Sequence, residues 1–374
     1  MRRALLAVAV CACVLAPAAD ARDPGRWVLT GATSIPITYW QGLTSDPAKQ
    51  RVFFIGVFEG LWRTTPGLRQ TAANGAAIPA EVTAAEGYNH IGDLTWNGGR
   101  VLLPMECYDP AAGGNTCGNG AFGIADPGTL AWRFYVKLDP AEIPKAMWAE
   151  TSPDGKLVWT SSGDDLLSYR SSDIVAAYAA PLAPPIHSVR RLTGAVPPTG
   201  VTGAVFRDGR LLLAGESDGT YQVWAVDTKT GKRRLELQMK VCGESEGLDV
   251  IRTLGGELHW LIAPSDPGCT LTFGPGSALL HFTPPPGRRG LNVKVLKVKA
   301  ATLPGRVEAK VRVKRGGHPL AGARVSFAGA GAITSKRGIA IVSTRLDLPG
   351  RYKALARQSG RYGLSDLVKV GIKP

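Results

Sequence analysis

An internal repeat constrains this chain more than any other feature of it. Five times a small residue is followed, after a turn of variable length, by a charged residue that opens an apolar run. Gly42 leads to Arg51-Val-Phe-Phe, Gly92 to Arg100-Val-Leu-Leu, Ala149 to Lys156-Leu-Val-Trp, Gly203 to Arg210-Leu-Leu-Leu and Gly247 to Glu257-Leu-His-Trp. The charged anchors lie 49, 56, 54 and 47 residues apart, which is the length of one four-stranded propeller blade. The turns agree, because Asn97-Gly98-Gly99, Pro153-Asp154-Gly155 and Asp208-Gly209 supply the positive φ values that tight strand connections need. The innermost strands of such an array crowd toward its axis, so Gly42, Gly92, Ala149, Gly203 and Gly247 are expected there as a ring of residues without bulk. The repeat therefore predicts an all-β chain: a five-bladed β-propeller, with six blades as the alternative. Trp27 to Thr30 is free to supply the last strand of the blade begun by Gly247 and continued by Ala278 to Phe282. Only Ser172 to Tyr178 reads as helical, with Ser172 or Asp173 as its cap.

Charge divides the chain a second way. The formal net charge is +14, yet residues 286–374 hold 20 Lys and Arg against Glu308, Asp347 and Asp366, while the first 285 residues are slightly acidic. Pro284-Pro285-Pro286-Gly287 reads as a stiff linker at that boundary. Beyond it, LNVKVLKVK and VEAKVRVK alternate apolar and basic positions in the manner of half-buried strands with Lys and Arg outward. Such a face attracts polyanions, which for an exported protein are anionic envelope polymers, lipid head groups, acidic polysaccharide or released DNA; the plainer reading is a solvated face whose charge blocks edge-to-edge aggregation. With only Phe327, Tyr352 and Tyr362 as aromatic residues, the segment lacks the stacking platforms of a nucleic-acid reader, and no specific nucleic acid is expected.

Residues 1–21 read as a secretory signal: Arg2 and Arg3, an apolar run from Ala4 to Leu15, then Ala16-Pro17-Ala18 and Ala19-Asp20-Ala21 as small-residue cleavage patterns. The apolar run is shorter than the roughly 20 residues that span a bilayer, so no transmembrane segment is expected and the protein is placed outside the cytoplasm, secreted or at the cell surface. The domain reading is thus 1–21 signal, 22–285 propeller and 286–374 basic sandwich. Export favours disulfides. Of the three pairings open to Cys107, Cys117, Cys242 and Cys269, sequence proximity selects Cys107 with Cys117 and Cys242 with Cys269. No CxxC or paired histidine supports a zinc site.

Several stretches resemble known families. QGLTSDP (Gln41 to Pro47), WAETSPDGKLVWTSS (Trp148 to Ser162) and SEGLDV (Ser245 to Val250) look like the inner-strand repeats of secreted bacterial propellers of the YVTN, TolB-like and gluconolactonase-like groups. The last group implies an axial divalent cation and hydrolysis of lactones or esters; only Glu246-Gly247 matches its motif, so the activity is not carried over. Gly317 to Phe327, Thr334 to Gly338 and Leu348 to Ala354 resemble a bacterial Ig-like or carboxypeptidase-regulatory-like β-sandwich, which implies a spacer or docking module and no activity.

Candidate chemistry gathers where inner strands meet the axis. Gln41, Asn89, His90 and Trp148 are the expected ligand-binding residues. Asp93, Glu150, Glu246 and Asp249 are the expected metal ligands, since converging oxygen donors suit Ca²⁺. The two G-x-S-x-G matches, Gly215 to Gly219 and Gly243 to Gly247, lack the strand-turn-helix context of a nucleophilic serine and read as polar turns. The leading expectation is an exported, non-catalytic propeller that binds a ligand at one face. The alternative is a Ca²⁺-dependent lactone or ester hydrolase on the axis.

Overall fold

The computed structural model describes residues 27–56, 60–112, 114–179, 184–240, 243–263, 276–285 and 287–371. Residues 1–21, expected to form a signal, and the expected Cys242–Cys269 pair lie outside the described residues. The chain is all-β, with short helices at Ala80–Glu86 and Ser171–Ala179, and the described residues between Val28 and Thr283 form propeller-like antiparallel sheets in sequence order. The first sheet is Gly42–Ser45, Val52–Ile55, Leu61–Thr64 and Gln70–Asn74. In the second, His90–Ile91 and Thr95–Asn97 both pair with Arg100–Glu106, followed by Ala121–Ala125 and Trp132–Lys137. The third is Glu150–Thr151, Leu157–Ser162, Asp165–Arg170 and Arg190–Leu192; the fourth is Gly203–Arg207, Arg210–Ser217, Thr220–Val226 and Arg233–Lys240. In the fifth, Glu244–Thr253, Gly256–Ala263 and Ser277–Thr283 are completed by the N-terminal strand Val28–Ile35, which pairs antiparallel with Ser277–Thr283.

The ring of small residues has a direct steric cause. A Cβ on Gly92 would collide with the carbonyl of Met147, and one on Gly247 would lie 2.5 Å from the Leu43 nitrogen and 2.6 Å from Asp93 Oδ1. Neighbouring inner strands touch backbone to backbone at these positions, so only the smallest residues fit. The helix Ser171–Ala179 forms where the sequence predicts one. Ala80–Glu86 does not follow from hydrophobic pattern, since none of its residues is buried; it ends on Gly87, whose φ of 83° lets its N–H reach the Thr83 carbonyl.

The basic C-terminal segment forms two sheets. One is ordered Arg288–Arg289, Arg361–Leu364, Ala354–Gln358, Arg324–Phe327 and Ala330–Ile333; in the other, Asn292–Ala300, His318–Pro319 and Ile339–Leu346 all pair with Gly305–Arg315. Their inward residues, among them Val307, Val311, Val325, Phe327 and Ala356, share one core with Tyr39, Phe54, Ile251 and Leu279 of the propeller-like part. The composition break at residue 286 predicts a separate module on a linker. The structure instead fuses it to the fifth sheet, because Gly350–Tyr352 pairs with Gly31, Ala32 and Thr33, and Val368–Val370 follows.

A buried hydrogen-bond relay crosses this junction. His259 Nε2 lies 2.6 Å from the Ile251 carbonyl, His259 Nδ1 lies 2.8 Å from His281 Nδ1, and His281 Nε2 lies 2.7 Å from Thr33 Oγ1, which is 2.7 Å from the Tyr352 hydroxyl. A carbonyl only accepts, so the proton of His259 sits on Nε2. Its Nδ1 then accepts from His281, His281 Nε2 accepts from Thr33, and Thr33 accepts from Tyr352. Every member is neutral and satisfied. Burial supports this state, pushing His259 down to about 4, with His281 held well below its ordinary value by burial and by His259 beside it.

Candidate functional site

Asp93 lies where the innermost strands of the sheets meet. The Asp93 backbone bridges to the third sheet, donating to Met147 O and accepting from Ala149 N, both at 3.0 Å. Its carboxylate accepts from Leu43 N at 2.9 Å, Ala204 N at 3.0 Å and Leu248 N at 3.4 Å. One residue of the second sheet thus bonds to the innermost strands of the first, third, fourth and fifth. Burial pushes this carboxyl well above the usual range, opposed by the three N–H donors. Its oxygens are occupied by backbone, which makes it the tie between sheets.

On one side of Asp93, where the inner strands begin, lies a cavity of about 420 Å³ lined by Trp40, Gln41, His90, Glu106, Tyr108, Lys145, Met147, Thr202, Glu244 and Glu246. His90 Nδ1 stands 3.0 Å from Glu106 Oε1. With the Gln41 amide oriented as its neighbours require, its oxygen accepts from His90 Nε2 at 2.5 Å and its nitrogen donates to both Glu246 oxygens, at 2.9 and 2.7 Å. A polar chain therefore runs Glu106, His90, Gln41, Glu246 across the mouth. His90, Glu106 and Glu246 are all buried, and neither His90 Nδ1 nor Glu106 Oε2 makes a hydrogen bond among the described residues. Glu246 is pushed well above its ordinary value by burial and then by Glu244, Asp93 and Glu216; Glu244, at the rim, is raised by burial and by Glu216. Carboxylates crowded this way hold protons until a cation replaces them.

The disulfide between Cys107 and Cys117 forms as expected, and its loop overhangs this mouth with Tyr108, Pro110 and Gly114. Asn89 holds that loop in place: its Nδ2 donates to Tyr108 O at 2.9 Å and its Oδ1 accepts from Tyr108 N at 2.7 Å. Trp148 is fully buried, with its indole N–H on Ser161 Oγ at 2.7 Å, and offers no ring face to the cavity. The aromatic residues that do line it are Trp40 and Tyr108.

Glu150 and Asp249 lie at the opposite end of the axis. Glu150 accepts from Thr95 Oγ1 at 2.8 Å and from Phe206 N at 2.9 Å, whereas Asp249 accepts from Ser45 Oγ at 2.5 Å with Lys49 Nζ at 3.5 Å. The four expected metal ligands are thus separated: Glu246 at the cavity, Asp93 at the centre, Glu150 and Asp249 beyond it. Burial, with Asp249 nearby, pushes Glu150 up to about 7. A carboxyl raised in the folded state contributes stability that is present below about pH 4.5 and lost as pH rises through 7. Glu150→Gln is therefore expected to change little at pH 4 relative to wild type and to gain on the order of 2 kcal/mol by pH 8, the full shift being reduced by water at a half-buried group. Urea unfolding of both proteins across pH checks this; a pH-independent difference would contradict it.

Two charged residues of the cavity, Glu106 and Glu244, stand out poorly in sequence, Glu106 only as the neighbour of Cys107. The G-x-S-x-G stretches are turn and strand: Asp218 and Gly219 form a positive-φ hairpin tip, and Gly243 to Gly247 runs into Glu244–Thr253. Ser245 is buried against Thr202 Oγ1 and the Trp260 indole.

No protein-family model and no curated protein matches the chain. Among solved structures, the chain is similar to the GH43_1 enzyme from Xanthomonas citri complexed with xylose (11% identity over 68% of this chain and 90% of that one, TM-score 0.42). It is also similar to a luciferin-regenerating enzyme (13%, 67% and 94%, TM-score 0.37) and to the Cps50 (Swd1) β-propeller domain of Myceliophteria thermophila (12%, 84% and 99%, TM-score 0.32). Two enzymes and a β-propeller domain stand side by side in this set, and the fold of this chain is defined by its strand pairing.

Proposed function

We propose that this is an exported binding protein: a five-bladed propeller whose axial cavity holds a divalent cation, Ca²⁺ or a relative of it, and through it an oxygen-rich ligand, with a fused Ig-like basic domain. One observation carries this reading: Glu106, Glu244, Glu246 and His90 line a single cavity, and Glu106 Oε2 makes no hydrogen bond among the described residues. Oxygen donors with one imidazole suit a hard or borderline divalent cation. A volume of about 420 Å³ exceeds an ion and leaves room for hydroxyl or carboxylate groups of a larger molecule. The overhanging disulfide loop supplies one wall, and export through residues 1–21 provides the oxidising compartment that its bond needs.

Titration of the purified chain with Ca²⁺ and Mn²⁺ is expected to show one site per chain, and Glu246→Gln is expected to weaken it at least about tenfold while the fold persists, one carboxylate of a small set being lost. Absence of binding for both ions would reject the reading. The His90 to Glu106 pair supports a second reading, a metal-dependent lactone or ester hydrolase with His90 as general base. Turnover on a lactone and ester panel that His90→Gln abolishes would favour it over the binding protein.

A further inference from the structure

We infer that the end of the C-terminal sheet at the Gln358–Arg361 hairpin carries a phosphate-binding site built from Arg324, Arg357 and Arg361. Arg324 and Arg357 stand directly opposite each other on neighbouring strands, and Arg361 lies across the Gln358–Arg361 hairpin end of the same sheet. All three line one pocket of about 320 Å³ with Gly322, Gln358 and the hairpin-tip residues Ser359 and Gly360. Among the described residues no acidic side chain lines it, and none of the three arginines forms an ion pair.

Like charges directly opposite on adjacent strands destabilise a sheet. Packing gives no reason for the pair, because all three arginines are exposed; an anion between them turns the repulsion into attraction. Guanidinium groups present planar forks that bind oxyanions in bidentate fashion. Three forks offer more donors than the two oxygens of a carboxylate can use, whereas a phosphate monoester presents three oxygens and nearly two negative charges. Arg324 and Arg357 also line a second pocket, of about 300 Å³, whose other walls are Val325, Ser326, Gly331, Ala332 and Ile333, and Ile333 is 65% exposed. A phosphate at the arginines thus has an apolar shelf beside it. The group is common to lipid phosphates and to soluble phosphate esters.

The test uses the full chain and titrates inorganic phosphate and glycerol 1-phosphate at constant ionic strength set by chloride. Arg324→Gln/Arg357→Gln is expected to weaken binding at least about tenfold with thermal unfolding unchanged, and Arg324→Lys/Arg357→Lys to weaken it as well, since lysine keeps the charge and loses the fork. Co-sedimentation with phosphatidylcholine vesicles, with and without phosphatidic acid, separates the sources. Capture that requires phosphatidic acid and both arginines marks a lipid phosphate, and soluble binding alone marks a phosphate ester. No phosphate binding by the wild type, equal binding by either double variant, or equal loss in Lys294→Gln/Lys297→Gln would overturn the site in favour of ordinary solvated strand positions.

Discussion

Asp93→Ala is expected to cost on the order of 5 kcal/mol and to leave little folded protein at 37 °C. The substitution strands three buried N–H groups, those of Leu43, Ala204 and Leu248, and each unsatisfied donor costs about 1–3 kcal/mol. The sum rivals the roughly 5–15 kcal/mol net stability of a typical domain. Asp93→Asn should be nearly as harmful, because its amide nitrogen would point a donor at donors that now meet Oδ1 or Oδ2. Thermal unfolding of the two variants beside Glu246→Gln checks the assignment. Glu246→Gln should unfold at or above the temperature of wild type near neutral pH, since it lies in the cavity, a Gln can still bond Gln41, and a carboxyl raised by burial no longer has to ionise in the unfolded chain. Equal, mild losses in all three would mean that Asp93 does not tie the sheets together.

Removing the basic domain should be similarly damaging. A chain ending at Pro285 would leave Gly31 to Thr33 as an unpaired edge, deprive Thr33 of Tyr352, and open the core in which Tyr39, Phe54, Ile251 and Leu279 pack with the C-terminal sheets. Exposed strand edges and apolar surface drive aggregation. The truncated protein is expected to be insoluble, or to unfold at least about 10 °C below the full chain, a shift that corresponds to several kcal/mol for a chain of this size. A soluble truncation product with the unfolding temperature of the full chain would show that the two parts are independent. The same fusion bears on attachment: a role of the basic domain at an anionic surface has to be tested by point substitutions, because deletion disturbs the propeller-like part as well.

Much of this arrangement can be read from the amino-acid order, where a local rule repeats. Gly42, Gly92, Ala149, Gly203 and Gly247 recur because five inner strands meet the same steric limit, and the spacing of the charged anchors follows from strand length. Trp27 to Thr30 is legible as a closing strand because Glu244–Thr253, Gly256–Ala263 and Ser277–Thr283 leave their sheet one strand short. The site is only partly legible. Gln41, His90 and Glu246 follow from their place beside the inner strands, but nothing local says which end of the axis each side chain reaches. Glu150 and Asp249 therefore fall at the far end, and Trp148 packs away from the axis. Glu106 belongs to the second strand of its sheet, outside the repeated element. The junction is the least legible of all, since the partners of Thr33 in the buried relay are 248 and 319 residues away and no pattern in a single strand encodes such a meeting.

A cation bound among the carboxyl groups of the axial cavity, as proposed, displaces protons from those raised by burial and by neighbouring charge. Calorimetric titration of Ca²⁺ and Mn²⁺ into the full chain near pH 7, repeated in two buffers of different ionisation enthalpy, tests it directly. Because Glu246 is raised by burial and by the charge of Glu244, and Glu244 by burial and the charge of Glu216, binding should release about one proton per site, seen as a buffer-dependent heat that Glu246→Gln removes. Binding heats that are identical in both buffers, or no heat at all with either ion, would contradict the account.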